Sequence, residues 1–329
     1  MSLAGGAMRR VIGCVLLLGC LGVRVAYAET LDKIDIVIFG APSLGAFLPP
    51  VIKAKKLDEA NGLDITFSER TPDAYAAQFN SGEFQVGGSA ALLTVGLAAN
   101  RGVKVQYLFN LFDLWGAVVT SRADIKSLRD LEGKQLAAAR ATTNYVMFEF
   151  FARRAGVDLS KIEVVNTATP GLVGYALADR ADAVQIWEPA YTLLLAKKPD
   201  IRTLDQGVEK TWMAFAGGSR IPYLGIAAHT DWIAKNKALV PRLYATYKSA
   251  AQWVTQNPDE AAGIIATKST PEVEKAIASL IKSNERLGMN VVPASEIRKE
   301  IEAVYRAGLE VGYFAAQPSS DTISDAPLP

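Results

Sequence analysis

The stretch ADRADAVQIWEPA, residues 178–190, places a tryptophan, a glutamate and a proline directly after an alternating apolar run. An indole face can stack on a ligand, and a carboxylate accepts hydrogen bonds from hydroxyl, amine or ring N–H groups. Trp187 and Glu188 are therefore candidate ligand contacts; the structural alternatives are core packing for the indole and a helix first turn for a Glu-Pro pair. Other groups have the same character. Ser43, Leu44 and Gly45 follow an apolar run and would let a ligand approach the backbone, as would Gly88 and Ser89, with Ser89 able to cap a helix and donate its hydroxyl. Arg140, Thr142, Thr143 and Asn144 cluster hydroxyls, an amide and a cation where a helix should start, a set that suits a carboxylate or sulfonate or simply an N-cap. Trp115, beside Asp113, and Tyr223 sit in two further apolar segments, either lining a cleft or bracing it, while Arg70 reads as a solvated cation.

Catalytic chemistry has little to work with. His229 is the single histidine, at an expected strand-to-helix junction, so no second histidine can share a metal with it. GGSAA lacks the Lys-Ser/Thr of a phosphate loop, no GxGxxG opens a helix, and GGSR at 217–220 lacks the context of a nucleophile elbow. Neither a catalytic residue, a metal site nor a cofactor is expected, and the pattern points to binding.

These groups need a scaffold. The chain has 329 residues, 50% hydrophobic and 21% charged, enough to bury a large core, and its formal charge of +1 gives no reason to expect nucleic acid as a partner. Residues 1–28 read as an export signal: Arg9 and Arg10, a short apolar run, then AYA before Glu29. The run is too short for the ~20 residues of a spanning helix. LLGC at 17–20 offers a second route, a lipid anchor on Cys20; either outcome is extracytoplasmic, and the expected location is the periplasm. Both cysteines, Cys14 and Cys20, lie inside this segment, so cleavage after Ala28 would leave no thiol.

Beyond it, strand and helix patterns alternate from residue 33 and restart at 134, predicting two α/β units with mainly parallel sheets flanked by helices. Residues 111–121 and 213–229 are apolar, small and extended in pattern, which suggests two crossings that make a hinge. Lobe 1 is then 29–115 with 221–316, and lobe 2 is 116–220. From Asp231 the spacing is helical, and the polar, proline-bearing residues 317–329 predict a flexible tail. Residues 80–98 and 178–196 echo each other as turn, strand and immediate helix, putting Gly88 and Ser89 at the rank of Trp187 and Glu188. In open α/β sheets ligands bind beyond the carboxyl ends of strands, where these candidates fall.

Four pieces resemble the periplasmic solute-binding proteins of the sulfonate, nitrate and thiamine-precursor class: NSGEFQVGGSAA, SLRDLEGKQLAAA, FFARRAGVDLSKIEVV and ADRADAVQIWEPA. Gln85 stands where that family often has Asp. The resemblance implies a two-lobed type II periplasmic binding fold. It also implies a small solute held between the lobes, and as partners the membrane permease and ATPase of an ATP-binding-cassette importer, with the protein itself a monomer. Helix starts with Arg140 suit a sulfonate or carboxylate, and Trp187 with Glu188 suit a heteroaromatic compound. A ligand-sensing subunit, or an enzyme like the pyrimidine synthases of the same fold, are the alternatives; the latter use histidine and a cysteine-rich stretch that this chain lacks.

Overall fold

The computed structural model describes residues 30–267 and 269–329; the expected export signal and Cys20 lie outside them. In chain order the strands are β1 (Asp32–Phe39), β2 (Leu63–Arg70), β3 (Val86–Ala91), β4 (Val105–Asp113), β5 (Gly116–Thr120), β6 (Gln135–Ala138), β7 (Glu163–Asn166), β8 (Ala183–Trp187), β9 (Arg202–Leu204), β10 (Pro222–His229) and β11 (Met289–Pro293). They form a six-stranded sheet, β11-β4-β10-β3-β1-β2, and a five-stranded sheet, β7-β6-β8-β5-β9.

The expectation of mainly parallel sheets is corrected to two mixed ones. β1 runs parallel to β2 and β3, but β10 runs antiparallel to β3 and β4, and β11 antiparallel to β4. In the second sheet β6 is parallel to β7 and β8, whereas β5 is antiparallel to β8 and β9. The reason is connectivity. Only Leu114 and Trp115 separate β4 from β5, and β10 starts where β4 ends, with Pro222 opposite Asp113. A strand that enters from the crossing must run against those that end there. The crossings are stitched together by Leu114 N–H donating to Ile221 O at 2.7 Å. As a result the carboxyl ends of β3, β4 and β8 all point toward the crossings: Ala91 pairs with Leu224, and Trp187 with Gly116.

β3 shows how sequence answers position. It lies between two other strands, and all six of its residues, VGGSAA, are buried. A Cβ on Gly88 would meet the methyls of Ile36 and Ile38 at 2.8 Å, so only glycine fits under that face. Helices cover both faces of this sheet, with one apolar cluster under Leu239–Gln256, Pro258–Ile265 and Pro271–Ser283 and another under Arg298–Glu310. The helix Thr143–Arg154, which follows β6, belongs to both halves. Val146, Met147, Phe150 and Phe151 join the second of those clusters, while Tyr145 and Phe148 pack on the second sheet. Arg154 and Glu310 pair through two contacts of 2.6 and 3.0 Å at its far end.

Three local expectations change. Residues 213–216 are the end of a helix, Val208–Ala216, whose Trp212 is fully buried and donates Nε1–H to Arg220 O at 2.8 Å. The helical end contains the strand β11, which closes the edge of the first sheet beside β4. The tail is packed rather than loose: Thr322, Ile323 and Ser324 are buried, Ser324 N–H donates to Tyr107 O at 3.0 Å, and Arg298 pairs with Asp325. Its backbone bridges to Tyr107 of β4 through Ile323 and Ser324, a pairing that composition cannot reveal.

Candidate functional site

The end of β8 carries the most unusual chemistry. Glu188 has no exposed side-chain surface. Its Oε2 accepts Thr192 N–H at 3.0 Å, and its Oε1 lies 3.0 Å from Nε of Arg286, within ion-pair distance but without hydrogen-bond alignment. Burial pushes the carboxyl above its ordinary value, opposed by the Thr192 hydrogen bonds and the Arg286 charge. Arg286 comes from the far half of the chain, between helix Pro271–Ser283 and β11. Its guanidinium lies 5.2 Å from the Tyr191 ring centre and 5.9 Å from that of Trp115, and those two rings are 5.1 Å apart.

Beside this group, Asn144 Nδ2 donates to the Tyr223 hydroxyl at 2.8 Å, a bond that joins the two halves, and Gln185 Nε2 donates to Asn144 O at 2.7 Å. Burial pushes the Tyr223 hydroxyl up to about 12, so at neutral pH it is a neutral phenol. Thr143 Oγ1, Asn144 Oδ1 and Gln185 Oε1 are buried without a hydrogen-bond partner among the described residues. An orphaned buried polar atom typically costs about 1–3 kcal/mol; the two amide oxygens want donors, and the Thr143 hydroxyl can donate or accept. The arrangement offers acceptor oxygens, one carboxylate and aromatic faces.

The structure brings Trp115, Asn144, Glu188 and Tyr223 into this region, with Thr143 next to Asn144. Trp187 is 8% exposed and packs with Ile186, Ala190 and Leu194, so its indole is core in this conformation, and the paired aromatic faces are those of Trp115 and Tyr191. Thr142 caps its helix, accepting Tyr145 N–H at 3.2 Å and donating to Ala139 O at 2.8 Å. Arg140 is exposed, 5.9 Å from the Tyr145 ring, and is not brought to Glu188. On the first sheet, Ser43 caps the short turn Leu44–Ala46 and donates to Phe39 O at 3.0 Å. Ser89 is not the helix cap expected of it: β3 continues to Ala91, and Ser89 Oγ accepts Phe39 N–H at 2.8 Å. A Cβ on Gly45 would lie 1.9 Å from that same Oγ, so Gly45 is the lid on a satisfied serine. Leu44 and Gly88 are buried in the core.

Sequence reading missed Tyr191, Thr192, Gln185 and Arg286. Tyr191 and Thr192 follow Glu188 at helical spacing, which was a usable signal. Gln185, a polar residue in an apolar strand, was another. Arg286 had none, because only the fold brings it to Glu188.

Comparison with known proteins bears on this arrangement. The sequence pattern of the family described as NMT1/THI5 like matches residues 53–261, well over half of the chain. The chain belongs to the NMT1/THI5-like family. Residues of the site from Trp115 to Tyr223 fall inside the matched span, and Arg286 lies beyond it. A Brucella abortus protein named provisionally as a binding protein is 24% identical over 148 residues; the match covers 45% of this chain and 44% of that protein, so it spans less than half of either. Among solved structures, the periplasmic aliphatic sulphonate binding protein SsuA of Escherichia coli superposes with a TM-score of 0.70 at 17% identity, over 88% of this chain and 96% of that one. The alkanesulfonate-binding protein SsuA of Xanthomonas axonopodis pv. citri, bound to MOPS, gives 0.69 at 14% identity over 88% and 96%. The Candida albicans CA3427 gene product, with the generic periplasmic binding protein fold, gives 0.62 at 15% identity over 88% and 93%. At these identities the likeness concerns the fold, and this NMT1/THI5-like chain has the periplasmic binding protein fold.

Proposed function

We propose that this protein is the extracytoplasmic solute-binding component of an ATP-binding-cassette importer, which captures a small organic molecule between its two lobes and delivers it to a membrane permease. Family membership and fold favour that reading, and the export-like start of the sequence agrees with it. One observation carries it: Glu188, with no exposed side-chain surface, meets Arg286 from the other half of the chain, beside buried amide oxygens that have no partner among the described residues. Groups contributed by both halves and left incompletely satisfied favour closure around a third body, because the ligand's extra contacts stabilise the closed population. In this reading the protein binds its solute without transforming it.

A thermal-shift screen of the purified protein against sulfonates, carboxylates, amines, guanidines and pyrimidines tests the proposal. A true solute raises the melting temperature with saturation, by an amount corresponding to about 2.7 kcal/mol at one hundred times its Kd. Turnover of a compound, with no such stabilisation by any solute, would contradict it.

A further inference from the structure

We infer that Arg286 is a built-in occupant of a box made by Trp115, Tyr191 and Glu188, and that the solute displacing it is an organic cation carrying a guanidinium or ammonium group. The inference rests on the solute-binding reading and specifies its chemistry. The walls are those a cation selects. Two aromatic rings 5.1 Å apart both lie near the guanidinium, at 5.2 and 5.9 Å, and the negative faces of such rings attract positive charge. The Glu188 carboxylate closes the box 3.0 Å from Nε, and Thr192 Oγ1 lies 3.5 Å from a terminal guanidinium nitrogen. An anion placed there would face that carboxylate and both ring faces, and the Arg286 charge is already matched by Glu188.

The occupant and the walls come from different parts of the chain. Tyr191, Glu188 and Thr192 belong to the second-sheet half and Trp115 to the crossing, whereas Arg286 enters on the link between helix Pro271–Ser283 and β11. That link is clamped by Asn284, which accepts Met289 N–H at 2.9 Å and donates to Met289 O at 3.2 Å. Arg286 itself remains one-third exposed, so its side chain reaches the box from the rim and can swing out without breaking a core. A solute with the same head group gains the same ring and carboxylate contacts.

The test is calorimetric titration of the full protein and of Arg286→Ala with methylguanidinium chloride and tetramethylammonium chloride, with sodium methanesulfonate as the anionic counterpart. Removing the occupant should tighten binding of at least one cation tenfold or more, and adding Glu188→Gln to Arg286→Ala should abolish the gain. Should Arg286→Ala fail to fold, Arg286→Gln, which keeps the stem but not the charge, is titrated instead. Equal or weaker cation binding by the folded variant overturns the inference. So does methanesulfonate binding to the wild type that Arg286→Ala destroys, since Arg286 would then be a ligand for anions. A neutral or anionic solute found in the thermal-shift screen, binding independently of Glu188, overturns the cation box and leaves solute binding standing. Cation capture by Arg286→Ala with no solute for the wild type supports the box and counts against the transport reading.

Discussion

β3 and β8 hold the same rank in the two halves: each is an internal strand whose carboxyl end points to the crossings, and each runs on toward a helix. Their chemistry differs. β3 ends in small residues whose polar demands are met, with Ser89 satisfied by Phe39 N–H and covered by Gly45. β8 ends in large and charged ones whose demands are not fully met: Gln185 Oε1 has no partner among the described residues, and Glu188 draws on a guanidinium from the other half of the chain. A serine near a strand end is thus poor evidence for a ligand when a local N–H already uses it. A buried carboxylate that depends on a distant partner one-third exposed is better evidence, because burial of charge is costly unless something compensates it.

Substitutions can break this contrast. The largest effect is expected from Gly88→Val, whose added atoms would drive into Ile36 and Ile38; it should cost about 3 kcal/mol or more in urea unfolding, with solute affinity of the remaining folded protein unchanged. The crossing between the two ends adds a pH effect. Burial pushes the Asp113 carboxyl up to about 6, despite hydrogen bonds from Asn290 and Asn110. Its folded value is above its unfolded one, so its contribution to stability is present below about pH 4 and lost as pH rises through about 6. The full swing is about 3 kcal/mol. Unfolding midpoints measured from pH 3.5 to 8 should show this fall in the wild type and a flatter profile in Asp113→Asn. Ser89→Ala should cost about 1–2 kcal/mol by leaving Phe39 N–H unpaired, again without a change in solute affinity. Arg140→Ala, at an exposed position, should stay within about 0.5 kcal/mol in stability and leave binding intact.

Much of this fold is legible in the residues. Alternation in 33–39 and 183–187 marks strands, and Thr71-Pro72 opens the helix Pro72–Asn80 with Thr71 as its cap. Direction was not legible: strands β5 and β10 carry the same apolar pattern whichever way they run; the short link at Leu114 and Trp115 decides it for β5, and the start of β10 opposite Asp113 decides it for β10. The five residues of β11 and the packed tail were hidden for a related reason, since each is stabilised by an edge supplied from elsewhere. In the candidate site, Glu188 and Trp115 could be named from their types and places. Arg286 could not, because its partner is 98 residues away and nothing local distinguishes it from other surface arginines.

The most direct test compares the two strand ends in one experiment. A solute that stabilises the wild type in the thermal-shift screen is titrated against Glu188→Gln and Ser89→Ala. The expected result is that Ser89→Ala, though less stable, keeps the full solute-induced shift, while Glu188→Gln loses affinity by about ten- to one hundred-fold, the worth of a charge-assisted hydrogen bond. A shift kept in full by Glu188→Gln and lost in Ser89→Ala would contradict the assignment of binding to the end of β8.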